Sequence, residues 1–563
     1  MHVLPAHTRT LSRVLIAGLF IRILGLGVSA DVVTDWNATL ESALRNPTPS
    51  PAVQVRASAI VHGAIFDAVN GIARKYAPLR VTDPAPPGAR AEAAAAQAAY
   101  TTLLSLFPTK QALFDTQLAA SLAQIPGSEG NSQSIASGRA WGETVAQQIL
   151  AWRANDGFSQ VLTYTGSSAA GYWRHAPLAA APAGGLSMTV TTPFALTNPA
   201  AFEPGPPYGN ADRAAAMATA AYAADVNEVK AKGGTVSTVR TAAQAILAQF
   251  INVADGVDIN TYVRQALPAN ARLVDNARTF ALLNIAANDA TIVCFQSKYK
   301  YGLWRPLQAI PFADEDGNVA TAPDSAWVPL GATPSHPEFL SGHAIVSSAM
   351  LAVAAAILGD DTTFTLTTTN PGAPAITPVF TSFSAYSDAI VEARINIGFH
   401  FRTACTLGQS IGYAVAGQIV RSALLPQAGS GLVNLALRGR AGTGADTLVA
   451  GFVVGAGSRQ VLIRGVGPAL AGYGVTAALA DPRIVIYDGA GRTVAENDNW
   501  SSGGAAASAA LTTASGRAGA FPLAANSLDA ALLTTLSPGA YSVHVSSTTS
   551  ASGIALIEAY EVP

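Results

Sequence analysis

From Trp36 to about Leu424, apolar residues recur at i, i+3 and i+4, the spacing of one face of an α-helix. The pattern predicts helices over Arg56–Ile72, Ala91–Leu106, Asp212–Val229, Val239–Asn252 and Arg272–Lys298, all on alanine-rich backgrounds. An apolar run from Ala344 to about Leu358 stops at Asp360-Asp361 and reads as a buried helix. Pro- and Gly-rich loops separate these elements. The stretch 176–208 is too long for an idle connection and is expected to be packed or functional. Past Leu425-Pro426 the period changes to short β-rich runs: Thr447–Val454, Gln460–Arg464, Arg483–Tyr487, Tyr541–Ser546 and Ile554–Tyr560. Turn signals such as Asp488-Gly489-Ala490-Gly491 divide them, and no Lys or Cys occurs beyond this point. The expected architecture is mainly α, a helical bundle over 31–428, followed by a small all-β, sandwich-like domain over 429–563.

Composition narrows the class. The 563 residues are 50% hydrophobic and only 12% charged, about half the usual share of roughly 25%. With a mean hydropathy of +0.29, disorder is excluded. A net charge of -2 argues against a nucleic-acid partner bound by phosphate neutralisation. A membrane span needs roughly 18 apolar residues. Val14–Ala30, with Arg9 and Arg13 before it and Val28-Ser29-Ala30 at its end, instead resembles a secretory signal over 1–30. Ala344–Gly359 is too short to span. The mature chain is therefore expected to be secreted or periplasmic and not membrane-spanning. Cys294 and Cys405 are the only cysteines, and one disulfide or two buried thiols both fit.

Three segments concentrate cationic and anion-binding groups. In Lys298-Tyr-Lys-Tyr-Gly-Leu-Trp304-Arg305-Pro306, Lys298 and Arg305 are seven apart, two helical turns, and Pro306 ends the element. Two cations facing one way repel unless an anion or carboxylate lies between them. In Pro334-Ser-His336-Pro-Glu-Phe-Leu340-Ser341-Gly342-His343, Ser341 is placed to cap the following helix, and Gly342 lets an anion approach backbone N–H groups. His343 falls in the first turn, where it can exchange protons with a bound group. In Arg394-Ile-Asn-Ile-Gly398-Phe-His400-Phe-Arg402, the spacing of Arg394 and His400 is not a same-face one, and a bend at Gly398 would bring them together.

In this order, Lys-x6-Arg-Pro, Ser-Gly-His and Arg-x5-His resemble the vanadium-dependent haloperoxidase and type-2 phosphatidic acid phosphatase superfamily. Asp35-Trp36-Asn37, Ala64–Asn70, Gly171-Tyr172-Trp173 and Pro193–Leu196 extend the likeness to bacterial secreted haloperoxidases across about residues 31–425. The resemblance implies that His400 binds vanadium. It implies that Lys298, Arg305, Arg394, the Ser341 hydroxyl and the Gly342 N–H hold the oxygens of vanadate. His343 would be the acid–base group, with hydrogen peroxide, a halide and a small organic acceptor as reactants. His336, seven residues before His343, resembles the bromide-using algal enzymes and favours bromide or iodide.

Two departures stand out. The family usually has Asp four residues after the metal-binding His, where it orients the ring; here that position is Ala404. Leu340 stands where Pro usually precedes Ser-Gly-His. Two other readings stay open: an acid phosphatase with phosphate in the same site and His400 as nucleophile, or a scaffold whose site has decayed through Ala404. Self-association into a homo-oligomer also stays open. His62, Asp67 and Asn70 read as core hydrogen-bonding residues, His175 as pocket rim or surface, Arg402 as an ion pair or a support for the site, and Asn497-Asp498-Asn499 as an Asx turn rather than a calcium loop. The β-domain resembles one appended to exported proteins of environmental bacteria.

Overall fold

The computed structural model describes residues 31–45, 47–125, 132–174, 183–254, 256–370, 372–427, 435–455 and 458–562. The expected export signal and His175 lie outside them. The helices predicted over Arg56–Ile72 and Ala91–Leu106 form as α2 (Pro51–Ala73) and α3 (Ala91–Leu106), and they pack as a first bundle with α1 (Val32–Ala43), α4 (Gln111–Ala123) and α5 (Ser132–Arg153), which the periodicity did not single out. A second set follows: α6 (Arg213–Met217), α7 (Ala220–Lys232), α8 (Ala242–Val253), α9 (Gly256–Ala266), α10 (Leu273–Tyr301), α11 (Pro306–Ala309), α12 (Gly342–Leu358), α13 (Phe383–Asn396) and α14 (Arg402–Ser422), with a short antiparallel pair, β1 (Phe364–Thr365) and β2 (Val379–Phe380), between α12 and α13. The single helix expected over Asp212–Val229 is split. Asp212 and Thr219 each accept a backbone N–H as an N-cap, so two helices start where one was expected.

The 29-residue α10 is the shared wall, packed on α2 of the first bundle and on α12 of the second. A small residue sets the approach of α14 to α12: a Cβ on Gly412 of α14 would lie 2.4 Å from the Ile345 carbonyl oxygen of α12. Among the described residues, α2 alone is long and apolar enough to cross a membrane, and most of it is buried inside the body. Two buried carboxylates pin the long loops. Asp67 accepts N–H groups from Leu79, Arg80 and Val81, and Asp289 accepts them from Phe194, Ala195 and Leu196, at 2.7–2.9 Å. The described part of the 176–208 loop is thus packed by α10. His62 meets Asn37 at 3.1 Å, and Asn70 pairs with the Tyr76 backbone, so both are core hydrogen-bonding residues.

The C-terminal region is a pair of antiparallel four-stranded sheets. One runs β3 (Leu435–Ala441), β10 (Gly553–Glu561), β5 (Arg459–Val466), β8 (Ala530–Leu536). The other runs β4 (Leu448–Val454), β9 (Gly539–Ser547), β6 (Pro482–Asp488), β7 (Thr493–Asn497). Alternate residues such as Ile463, Ile484, Ile486, Val543, Val545 and Ile557 face one buried core between them. Strands β3, β7 and β8 were not marked by the sequence pattern, nor was the helix α15 (Gly504–Ala518), whose alanine-rich face covers Leu462 and Ala531. Asn497 is structural: its side-chain oxygen accepts the Ala531 N–H at 3.0 Å, tying β7 to β8.

Candidate oxyanion site

The three cation-bearing segments meet in the second bundle. Lys298, in the last turn of α10, is fully buried and donates to the carbonyls of Pro337 and Glu338 at 2.9 and 2.8 Å. The helix ends at Tyr301 because Gly302 turns left-handed. Arg305 therefore lies outside it, in extended geometry at the start of α11. Its Nε donates to the His336 carbonyl at 2.7 Å and its Nη1 to the Phe399 carbonyl at 3.0 Å, while Nη2 meets His336 Nδ1 at 2.8 Å. Arg394, at the end of α13, donates to Asn252 Oδ1 at 3.0 Å and lies over the Phe399 ring.

Gly398 makes the expected bend. Its φ is +82°, and a Cβ there would lie 2.4 Å from the Gly233 carbonyl oxygen, so no other residue fits without displacement. The turn brings His400 back beside Arg305, with Arg305 Nη1 3.4 Å from His400 Nε2. Ser341 is the N-cap residue of α12, as its spacing predicts, but its hydroxyl makes no capping bond. Gly342, His343 and His336 line the same cavity as Arg394 and His400.

The residue that sequence reasoning missed is Glu338. Fully buried, its Oε1 lies 2.9 Å from His400 Nδ1 and accepts the Phe401 N–H at 2.8 Å. A carboxylate thus reaches the ring from a different segment, and Ala404 uses its carbonyl to accept the Ser341 N–H at 3.1 Å. One signal was available: a lone acidic residue between Pro337 and Phe339, beside a histidine-rich Ser-Gly-His stretch. Because Glu338 Oε1 accepts, His400 Nδ1 carries the hydrogen, and the Nε2 lone pair is directed into the cavity.

Electrostatically the site is unbalanced. Lys298, Arg305 and Arg394 are buried against one buried carboxylate, Glu338. Burial pushes Lys298 down to about 8, Arg305 to about 10 and Arg394 to about 9. Burial raises Glu338 to about 7, opposed by the two nearby cations. Burial and then the cations hold His336, His343 and His400 well below the ordinary histidine value. Within the site, Ser341 Oγ, His343 Nε2, and Arg394 Nε and Nη2 are buried without a hydrogen-bond partner. Such groups are costly unless something pairs with them. An oxyanion would supply acceptors to the donors and negative charge to the cations, so these residues fit vanadate or phosphate.

Cys294 and Cys405 are both free, buried thiols, so of the two readings the disulfide is not formed. Arg402 pairs with Glu228 and Glu392.

Fold and site thus define a helical-bundle protein with a buried cationic site whose residues fit an oxyanion. Residues 278–426 match the family model described as the VCPO second helical-bundle domain. A vanadium chloroperoxidase of Curvularia inaequalis is 32% identical over 102 residues, 16% of this chain and 16% of that protein. The chain therefore matches about a sixth of that relative's length. Among solved structures, the first bacterial vanadium-dependent iodoperoxidase is 22% identical with a TM-score of 0.59, over 70% of this chain and 97% of that one. An apo-type bacterial vanadium-dependent chloroperoxidase is 16% identical with a TM-score of 0.52, over 66% and 93%. The chain carries a haloperoxidase-type second bundle on the fold of the bacterial vanadium-dependent haloperoxidases, with a β region appended.

Proposed function

We propose that the chain is a vanadate-dependent haloperoxidase that oxidises a halide with hydrogen peroxide, bromide or iodide being favoured, and halogenates an organic acceptor. The observation that supports this most is the excess of buried, partly unpaired cationic groups around His400 Nε2. Lys298, Arg305, Arg394 and Ser341 Oγ would hold the oxygens of vanadate, with the Gly342 backbone at the same wall, and His400 Nε2 would take the metal. When bound, vanadate supplies Lewis-acid polarisation of peroxide for attack by halide.

The chain's own residues do the rest. Glu338 fixes the His400 ring and its tautomer. The three cations, already oriented by backbone carbonyls and Asn252, stabilise oxygen-borne negative charge without reorganising. His343 Nε2, neutral and unpaired at the cavity wall, accepts a proton from incoming peroxide and returns it to departing oxygen. His336 sits against Arg305 where a halide would approach.

The test is a paired assay of bromide, iodide and chloride oxidation and of phosphate-ester hydrolysis, on vanadate-free and vanadate-loaded samples. Halide oxidation in the loaded sample alone supports the proposal. Ester hydrolysis in the vanadate-free sample, with no halide oxidation when loaded, replaces it with a phosphatase.

A further inference from the structure

Among the described residues, none from α7 lines the oxyanion cavity, yet this helix holds the His400 segment on both sides. Two residues before His400, Gly398 packs on Gly233, the residue that ends α7; a Cβ on Gly398 would lie 2.4 Å from its carbonyl oxygen. Two residues after His400, Arg402 pairs with Glu228 of α7 at 2.7 Å. One residue further, both carboxylate oxygens of Asp225 accept the Thr403 N–H, at 3.4 and 3.3 Å. Asp225, Glu228 and Gly233 thus meet Thr403, Arg402 and Gly398 in turn, the helix and the segment running in opposite directions.

Asp225 supplies what the sequence of α14 lacks. That helix starts directly after His400, with Phe401 as its N-cap residue and no side-chain cap of its own. The first N–H groups of a helix have no partner inside it, and a side-chain oxygen is the usual remedy. Asp225 brings that oxygen from another helix, and it is buried. Glu338 takes the Phe401 N–H, so two buried carboxylates share one helix start. The positive pole of the helix dipole favours both charges there.

Tyr208 locks the Asp225 carboxylate. Its hydroxyl donates to Asp225 Oδ2 at 3.0 Å, and its ring meets Tyr222 of α7 edge-on at 5.5 Å. Tyr222 in turn meets the Phe401 ring at 6.2 Å. Tyr208 is left-handed, with φ +55° and ψ +23°, a conformation disfavoured for a bulky side chain and kept only where the surroundings impose it. Burial, and then the Asp225 charge, hold the phenol proton in place.

We infer that α7 is the positioning element for the His400 segment, and that Asp225, locked by Tyr208, is the positioning residue that fixes where α14 begins and so where the His400 ring stands. The inference rests on the reading of His400 as the group that faces the oxyanion, but the ring's position can be read with no oxyanion present.

The test is made on the full chain. Proton NMR without an oxyanion follows the low-field His400 Nδ1–H resonance, identified by its loss in His400→Ala, and its exchange with water. Calorimetry measures phosphate and vanadate affinity. The variants are Asp225→Ala, Tyr208→Phe and Asp225→Asn, which keeps an acceptor for the Thr403 N–H. Ile149→Ala, on the buried face of α5, controls for lost stability alone.

Asp225→Ala is expected to speed ring-proton exchange and weaken both anions about tenfold each, the scale of lost support for a metal-binding histidine. Tyr208→Phe should move both the same way by about threefold, a partial loss of that support. Asp225→Asn, an equal cap, and the control should stay within about twofold. If thermal melts show that Asp225→Ala does not fold, Tyr208→Phe against Asp225→Asn decides by the same readouts. Unchanged ring-proton exchange, an equal change in the control, or an Asn variant as impaired as the Ala or Phe variant overturns the inference. A ring proton that responds as expected in a chain that binds neither anion leaves the positioning role standing and removes the oxyanion reading.

Discussion

His400 Nδ1 and Glu338 Oε1 lie 2.9 Å apart, both fully or almost fully buried, on segments 62 residues apart in sequence. The pair stands in for the carboxylate missing at Ala404. Partners that orient a metal-binding histidine are typically worth roughly 10–100-fold in affinity or activity. Glu338→Gln, which keeps shape and one acceptor, is expected to weaken vanadate binding about tenfold. Glu338→Ala should weaken it about a hundredfold. Calorimetry with vanadate and with phosphate checks both, and unchanged affinity in Glu338→Ala would show that the ring is held by something else.

Arg394 gives a prediction of opposite signs. Without an anion it is a buried cation with two unpaired nitrogens, a costly arrangement. Arg394→Met, similar in volume and apolar, is expected to melt at or above wild type when no oxyanion is present. The rise in melting temperature that vanadate or phosphate causes in wild type should be lost, since that rise is binding to the native state. A variant that melts lower yet still responds to vanadate would contradict the assignment.

His343 should separate binding from turnover. Its Nε2 faces the cavity without a partner, and it is not needed to balance the site's charge. His343→Ala is expected to bind vanadate within a few-fold of wild type while losing roughly 10²–10⁴ in halide oxidation, the range for a general acid–base group. Equal losses in both would make it a binding residue instead.

Stability should depend on pH through Glu41. Burial, partly offset by Arg264, raises its carboxyl from 4.5 to about 7. Between those values the unfolded chain has released the proton while the native chain still holds it. Stability contributed here is therefore present at low pH, falls as pH rises through that window, and is flat above it. Glu41→Gln should be more stable than wild type at pH 8 and lose that advantage near pH 4.5, as read from urea unfolding at the two pH values.

The thiols offer a direct check. Cys294 and Cys405 are buried and unbridged. A thiol reagent is expected to label neither in the native chain and both after denaturation without reductant, and a reductant should leave the melting temperature unchanged.

Much of the molecule was legible from the chain alone, because its cues are local. Helical periodicity placed α3 at its observed ends, and alternation and turn residues located five of the strands. The order Lys298, Arg305, Ser341, His343, Arg394, His400 named groups on three segments that the fold brings together, with His343, Arg394 and His400 lining one cavity, since each segment is tied to a local device: the Gly302 helix end, the α12 N-cap, the Gly398 bend. What only the tertiary structure decided is which group pairs with which. Spacing predicts that Ser341 caps a helix, but its hydroxyl makes no capping bond and is left buried and unpaired. Sequence also places nothing after His400 to orient it, yet Glu338 does so from a distant loop. The cavity beside His400 has the same origin. Its walls come from α2, α9, α10 and α12, and an enclosed volume depends on how separate segments pack, a property no single window of sequence contains.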